Sequence, residues 1–240
     1  MTRTLFLEDA YLQEAQARVT GIDEEGAVIA DASLFYATGG GQPGDTGRIT
    51  WDGGAADVTN TLKGEGGAIR LILQVAAPRP PEGAQITQHL DWERRLAHMK
   101  IHTALHLLSV VIPLPVNGGA ITAVKGRLDF DMPEPVDRDH VEAELNRLIA
   151  ADLPVWESAI TDAELDANPQ LVKTMSVQPP RGAGTVRLIG IGHGAQQVDL
   201  QPCGGTHVAT TGQIGPVRIG KIEKKGRQNR RVNLLLGETA

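Results

Sequence analysis

The sequence predicts an α+β protein that begins with a small glycine-rich β-barrel and continues into a mixed domain with an antiparallel sheet. Three patterns support this prediction. Short apolar runs separated by glycine turns occupy the first 90 residues, residues 91–112 follow helical spacing, and the remaining chain mixes strand and helix patterns without regular alternation. Such mixing is typical of α+β folds. We therefore expect a β-barrel domain at residues 1–90 and a second domain at residues 91–240.

The predicted barrel is built from short strands that end at turn residues. Glycine-containing turns such as Gly-Glu-Gly-Gly at 64–67 separate the runs, and no amphipathic pattern there exceeds three helical turns. Short alternating runs bounded by glycine are typical of a small barrel or sandwich. The predicted strands lie at 15–19, 28–30, 48–51, 56–62, 68–75 and 85–90.

A long helix is predicted over 91–112, and Pro113 ends it. It contains HTALH, in which His102 and His106 are four residues apart and so lie on one face, one turn from each other. The only cysteine, Cys203, stands in CGGTH, again four residues before a histidine, His207. Imidazole and thiolate both suit zinc, so these four residues are a candidate zinc site. HTALH lacks the glutamate of HExxH, which argues against a metalloprotease.

The second domain is predicted to contain strands at 120–130, 154–160, 186–191 and 214–222, with 231–236 pairing back across a turn at Gly226. Asp137 is in position to cap a helix that runs to about residue 151. Thr161 and Glu164 have the spacing of a capping box at the start of a short helix.

The glycine-rich loop YATGGGQPGDTG lies inside the predicted barrel and matches GxGxxG at Gly39, Gly41 and Gly44. A strand rather than a helix is predicted after it, which argues against a dinucleotide site. Two interpretations remain open. The loop is a tight turn between strands, or its bare backbone admits a ligand that Thr38 and Gln42 contact by hydrogen bonds.

Composition limits the remaining possibilities. The net charge of −6 argues against non-specific coating of nucleic acid, and an aromatic content of 3% argues against extensive base stacking. One cysteine excludes an internal disulfide and fits a reducing compartment. Because neither a signal peptide nor a membrane span is recognised, we expect a cytoplasmic protein without membrane partners.

A basic cluster stands out near the end of this acidic chain. It is either a contact surface for a phosphate backbone or a solvated hairpin tip. It contains one acid, Glu223, and seven basic residues: Arg218, Lys221, Lys224, Lys225, Arg227, Arg230 and Arg231.

Taken together, HTALH, CGGTH, the glycine-rich loop and KIEKKGRQNRRV resemble the editing region of alanyl-tRNA synthetase and its free-standing relatives, the medium-length AlaX proteins. The resemblance extends from about residue 5 to residue 236. The two histidine motifs are shared with the threonyl-tRNA synthetase editing domain, whereas the loop with Gln42 points to the alanyl branch. The fold implied is that of these editing domains.

The resemblance implies one zinc ion per chain, held by His102, His106, Cys203 and His207. It implies hydrolysis of the ester that joins serine to tRNA-Ala, and leaves open whether glycine is removed as well. Thr38 would meet the side chain of the misplaced amino acid, with Gly40, Gly41 and Gln42 in the same recognition loop. The basic residues that would bind tRNA are Lys221, Lys224, Lys225, Arg227, Arg230 and Arg231.

Two further residues are assigned to the surroundings of the metal. Asp199 is in position to orient a ligand histidine, and otherwise is a carboxylate at a strand end or turn. His98 has no ligand role in the family pattern and is assigned to the surroundings of the site or to the core.

Three alternatives stay open at this level. The first is a non-catalytic RNA-binding module whose fold is stabilised by zinc. The second is an enzyme that edits seryl-tRNA-Thr, and the third is a zinc hydrolase of small esters or amides. The sequence also leaves open whether zinc is catalytic or structural, because a metal with four protein ligands is closed.

Overall fold

A computed structural model of the chain describes residues 1–173 and 184–237, and contacts within it divide the chain into two units, Met1–Leu96 and Ala97–Ala240. The first unit contains one short helix and eight strands before the long helix begins. In chain order these are β1 (Arg3–Thr4), α1 (Leu5–Glu8), β2 (Glu14–Ile22), β3 (Val28–Ala30), β4 (Ala32–Ser33), β5 (Gly47–Trp51), β6 (Gly54–Lys63), β7 (Ile69–Leu73) and β8 (Gln85–Leu90).

Six of these strands close into an antiparallel barrel in the order β2-β3-β7-β6-β5-β8, which confirms the predicted barrel. Alternation along each strand sends every second side chain inward, where Ile49, Val58, Leu71 and Ile86 are buried. The two strands outside the barrel, β1 and β4, pair with each other in parallel.

A buried ion pair attaches the first turn of the next helix, α2 (Trp92–Val111), to this unit. Arg95 has a fully buried side chain, and its Nε donates to Asp45 Oδ2 at 2.8 Å. Nη1 donates to the carbonyl of Ala10 at 3.0 Å, and Nη2 donates to that of Leu34 at 2.9 Å and to Asp45 as well. Asp45 also accepts a hydrogen bond from the Tyr36 amide at 2.7 Å, so one carboxylate joins the helix to the base of the glycine-rich loop.

The second unit contains the remaining part of α2, two further helices and seven strands in its described residues. These are β9 (Val116–Ile121), β10 (Lys125–Asp131), α3 (Arg138–Ala150), β11 (Val155–Thr161), α4 (Asp162–Ala167), β12 (Thr185–Ile191), β13 (Asp199–Pro202), β14 (Val217–Lys224) and β15 (Asn229–Leu236).

These strands form two antiparallel sheets, one ordered β14-β15-β10-β9 and one ordered β11-β12-β13. The α+β class with an antiparallel sheet is therefore confirmed. Strand β10 approaches α2 closely at Gly126, where a Cβ atom would lie 2.5 Å from the Ile101 side chain. A residue without a side chain is required there.

Helix α3 covers part of the outer edge of β14. Asn146 and the backbone of Val217 exchange two hydrogen bonds, Nδ2 to the carbonyl at 2.9 Å and the amide to Oδ1 at 3.0 Å. The Ile219 amide donates to Glu142 at 2.7 Å, and its carbonyl accepts from Arg138 at 2.8 Å. Side chains of the helix thus take the place of a further strand along half of this edge.

Both predicted helix starts are confirmed. The Asp137 side chain accepts from the amides of residues 139 and 140, and the Thr161–Glu164 capping box is present. The predicted strand at 120–130 is confirmed over 125–130 and is interrupted before that, because the chain turns at Thr122, whose hydroxyl donates to the Lys125 carbonyl at 3.0 Å. The strand predicted from 214 begins at Val217, after a short 3-10 turn.

Across 1–173 and 184–237, every helix is too short or too polar to cross a membrane.

Candidate metal centre and glycine-rich loop

Two segments of the second unit bring four donor side chains together. Helix α2 carries His102 and His106, whereas the loop after β13 carries Cys203 and His207. One donor atom from each residue lies within 4.8 Å of the others. Cys203 Sγ is 3.5 Å from Nε2 of His102 and 3.2 Å from Nε2 of His207. The three histidines are nearly fully buried.

Hydrogen bonds on the far side of two rings set their tautomers. The Thr103 hydroxyl donates to the Met99 carbonyl at 3.0 Å, so its oxygen accepts from His207 Nδ1 at 3.1 Å. His106 Nδ1 lies 3.0 Å from a carboxylate oxygen of Asp199, which only accepts. Both rings therefore carry hydrogen on Nδ1 and keep the Nε2 lone pair for the cluster. Metal-binding histidines are commonly held in this way.

Asp199 is itself held by neighbours. Its Oδ2 accepts from Gln201 Nε2 at 2.7 Å as well as from His106, and its Oδ1 accepts from Lys173 Nζ. Asp199 and Gln201 lie on the same face of β13, two residues apart, as alternation along a strand requires. This places a satisfied, buried carboxylate behind His106.

The electrostatics of the cluster favour a thiolate. Burial by itself would raise the pKa of the Cys203 thiol, but the charges of His102 and His207 lower it well below its ordinary value. Burial and the charge of His102 lower the pKa of His207 to about 3. Burial also lowers the pKa of His106, but the Asp199 carboxylate and Cys203 raise it to about 9. The pKa shifts thus favour a thiolate at Cys203 and a neutral imidazole at His207.

This donor set fits zinc. Three imidazole nitrogens and one thiolate are ligands that zinc binds in proteins, and the two tautomers fixed by hydrogen bonds leave their Nε2 lone pairs available. His98 is not one of the four donors; it is buried on α2, one turn before His102. Its assignment to the surroundings or the core stays a prediction.

The glycine-rich loop of the first unit closes in a tight turn. Gly39 and Gln42 exchange both backbone hydrogen bonds, at 3.1 and 2.9 Å. Between them Gly40 and Gly41 have φ of +56° and +84°. Positive φ at both central positions defines the type I′ turn of β-hairpins, where glycine is strongly favoured. The tight-turn interpretation is therefore confirmed, and a role in ligand contact stays a prediction.

Thr38 is exposed beside this turn, whereas Gln42 is buried. The Thr38 hydroxyl donates to the Thr61 carbonyl at 3.1 Å and accepts from the Gly44 amide at 2.8 Å. Its only proton is therefore already used, and one oxygen lone pair is left to accept a hydrogen bond.

The basic residues divide into two groups. Lys221, Lys224, Lys225 and Arg227 are exposed, and Lys225 pairs with Glu223. Arg230 and Arg231 are half-buried and already bound within the protein. Arg230 donates to the carbonyl of Pro133 at 2.8 Å, and Arg231 donates to Asp129 through Nε at 2.8 Å and Nη2 at 3.0 Å.

Sequence reasoning missed several residues around the donors. Thr103 stands inside HTALH, and Gln201 stands two residues before the cysteine, so strand alternation could have indicated Gln201 once β13 was recognised. Lys173 and Arg187 are 30 and 16 residues before Cys203 in the chain. No local pattern connects them with it.

Comparison with known proteins gives matches at both ends of the chain. Residues 186–233 match the family described as threonyl and alanyl tRNA synthetase second additional domain. Residues 5–94 match the family described as tRNA synthetases class II (A). The first match contains Cys203 and His207, and the second contains the glycine-rich loop.

Similar proteins align along nearly the whole chain. The alanine–tRNA ligase of Pyrobaculum arsenaticum is 35% identical over 93% of this chain, which spans only 25% of the ligase. The alanyl-tRNA editing protein AlaX-M of Methanosarcina acetivorans is 32% identical over 98% of this chain and 99% of its own length. AlaX-L of Pyrococcus horikoshii is 31% identical over 100% of this chain and 59% of its own length.

Proposed function

This chain belongs to the AlaX family of alanyl-tRNA editing proteins, and from this we propose that it hydrolyses the ester bond of mischarged tRNA-Ala, with seryl-tRNA-Ala as its substrate. The observation that carries the proposal is the convergence of the HTALH and CGGTH side chains into one cluster of donors. We assign the β-barrel domain to residues 1–90 and the deacylase domain to residues 91–240.

The need for such an activity follows from the limits of binding. A pocket built for alanine poorly rejects an amino acid that adds only a hydroxyl group, so serine reaches tRNA-Ala at an appreciable rate. A separate hydrolytic site can then select for the hydroxyl group itself. Such a site needs a polar group that serine satisfies and alanine leaves unpaired.

Thr38 supplies that group in our proposal. With its own proton donated to Thr61, the hydroxyl oxygen retains one lone pair that a serine hydroxyl can donate to. Alanine has no hydroxyl to donate to this lone pair, so serine alone would gain the hydrogen bond, which typically contributes about 0.5–1.5 kcal/mol. Gly40, Gly41 and Gln42 would contribute by holding the turn beside Thr38 in its conformation.

His102, His106, Cys203 and His207 would hold zinc, which when bound supplies positive charge to polarise an ester carbonyl or to anchor the substrate. The chain itself fixes the donors. Thr103 directs the Nε2 lone pair of His207, and Asp199 does the same for His106. A site with all four donors bound is structural, whereas a catalytic site requires one displaceable donor.

The exposed basic residues would contact the tRNA backbone. Lys221, Lys224, Lys225 and Arg227 form the accessible part of the cluster, and we give Arg230 and Arg231 the role of supporting it because both already bind protein groups. Phosphate contacts weaken as salt rises, so activity on tRNA should fall with ionic strength.

The test is deacylation of seryl-tRNA-Ala beside alanyl-tRNA-Ala and seryl-tRNA-Thr. We expect release of serine from tRNA-Ala alone, with loss of activity in Cys203→Ala and in Thr38→Val. Equal hydrolysis of seryl-tRNA-Thr would make this an editing enzyme for a different tRNA. Zinc and tRNA binding without release from any substrate would indicate a non-catalytic RNA-binding module, and hydrolysis of small esters insensitive to salt would indicate a general zinc hydrolase.

A further inference from the structure

Arg187 lies behind the loop that carries Cys203. It stands on β12, with its Cα opposite that of Ala159 on β11, and its side chain is 17% exposed. One edge of the guanidinium faces Glu157 on β11, where Nε donates to Oε2 at 2.8 Å and Nη2 pairs with Oε1. The remaining nitrogen, Nη1, is directed away from this carboxylate.

Nη1 holds the CGG backbone. It donates to the carbonyl oxygens of Cys203 and Gly205, each at 2.9 Å. In the opposite direction, the Cys203 amide donates to the Arg187 carbonyl at 3.2 Å. Arg187 and Cys203 are therefore joined by two hydrogen bonds, one between backbones and one through the guanidinium, and a third hydrogen bond joins the guanidinium to Gly205.

The first glycine of this loop is not held by packing. Gly204 is exposed, and a Cβ atom at this position would have nothing within 4 Å. Two successive glycines also give the backbone more conformational freedom than any other pair of residues. Bonds to the carbonyls on both sides of Gly204 remove that freedom. The Gly205 amide then lies 3.4 Å from Cys203 Sγ, as a donor that favours the thiolate.

We propose that Arg187 is a positioning residue for the metal centre: it clamps the carbonyls of Cys203 and Gly205 and thereby fixes the thiolate against His207. The inference deepens the proposed function, since it rests on the assignment of the four donors as a metal site. Arginine is suited to this task because its rigid planar fork serves a carboxylate and two carbonyls at once. Lysine, with a single ammonium group, cannot reproduce that geometry.

The competing explanation is that Arg187 only links β12 to β11 through its ion pair with Glu157. Two substitutions separate these roles. Glu157→Gln removes the ion pair between strands and leaves both carbonyl contacts possible, whereas Arg187→Met removes the carbonyl contacts. If the clamp matters, the arginine variant is impaired at the metal and the glutamate variant is not.

The experiment measures metal binding by the full chain. Zinc affinity is obtained by competition with a chromophoric chelator, and the cobalt-substituted protein reports the thiolate bond through its charge-transfer absorption. We expect about 10–100-fold weaker zinc binding and altered cobalt bands for Arg187→Met, since loss of groups that orient ligands has this effect. Arg187→Lys should fall between it and the wild type, and Glu157→Gln should stay close to the wild type.

Arg70→Met is the matched control. Arg70 also pairs with two carboxylates, Asp23 and Glu25, but it lies on β7 of the barrel and contacts no donor loop. Wild-type affinity and cobalt spectrum in Arg187→Met would overturn the inference, as would equal losses in Glu157→Gln and Arg187→Met. If Arg187→Met fails to fold, the comparison of Arg187→Lys with Glu157→Gln decides by the same criteria.

These outcomes are distinct from failure of the proposed function. If the wild-type protein binds zinc but releases no amino acid from tRNA, and Arg187→Met binds zinc more weakly, the deacylase proposal is overturned and the clamp is supported. A wild-type protein that edits tRNA while Arg187→Met keeps its metal affinity would overturn the clamp alone.

Discussion

Replacing Arg95 by methionine should destabilise the protein by about 3–5 kcal/mol, the usual cost of removing one member of a buried ion pair. The reason is the set of groups left behind. The Asp45 carboxylate would stay buried and keep the hydrogen bond from the Tyr36 amide but lose its cation, and the carbonyls of Ala10 and Leu34 would lose the guanidinium donors. This loss is a large share of the free energy of unfolding of a domain, which is typically about 5–15 kcal/mol.

The assay is thermal unfolding followed by circular dichroism, together with urea titration. For a chain of this length each kcal/mol lowers the midpoint by about 2–4 °C, so a fall of about 10 °C is expected. Arg3→Met is the control, because Arg3 makes an equally complete pair with Glu8 but its side chain is 68% exposed. Exposed pairs contribute little, so the control should unfold close to the wild type.

Equal midpoints for Arg95→Met and the wild type would refute the reasoning, because they would show that the buried carboxylate finds other compensation. Asp45→Asn provides a second test from the other side of the pair. It keeps the size of the side chain but removes its charge, leaving the buried guanidinium uncompensated, and it should destabilise by a similar amount.

Three further predictions concern single residues. Gly40→Ala should destabilise the folded protein by about 1–2 kcal/mol, because φ at this position is +56°. Gly118→Ala is the control: the space around Gly118 is equally open and its φ is not positive, so this substitution should not destabilise the protein. The two variants are compared by their midpoints of urea unfolding. Asp199→Ala should weaken zinc binding by about 10–100-fold in chelator competition, because His106 loses the acceptor that orients it. Burial tends to raise the pKa of Asp129, but its arginine partners lower it overall. The carboxylate therefore stabilises the folded protein above its unfolded pKa of about 3.9, and this contribution disappears as pH falls through the lower folded pKa. Asp129→Asn should flatten the acid limb of a curve of stability against pH.

The elements with strong local patterns could be predicted from the sequence. Helix α2 was predicted from apolar spacing and from Pro113, and both caps were predicted from Asp137 and from the pair Thr161 and Glu164. The barrel strands were predicted because glycine turns separate them. In each of these cases the pattern and the structure depend on the same few neighbouring residues.

The errors and omissions arise where partners are distant in sequence. The turn at Thr122 was missed because it has no glycine, proline or asparagine and is closed by a threonine hydroxyl. Strand β13 is short and ends in proline, and it exists because it pairs with β12. Arg95 stands among charged residues that look exposed, and only its partner 50 positions away shows that it is buried. Arg187 has no pattern at all that links it with Cys203.

The covered edge of β14 has a consequence for aggregation. A strand at the edge of a sheet exposes amides and carbonyls that can pair with another chain, and proteins commonly block such edges with lysines or with a covering element. Here α3 side chains occupy the half at Val217 and Ile219, and Lys221 and Lys224 lie on the other half. The same lysines that we assign to tRNA would therefore also keep the chain monodisperse, so neutral variants made to test RNA binding need light scattering beside every activity measurement.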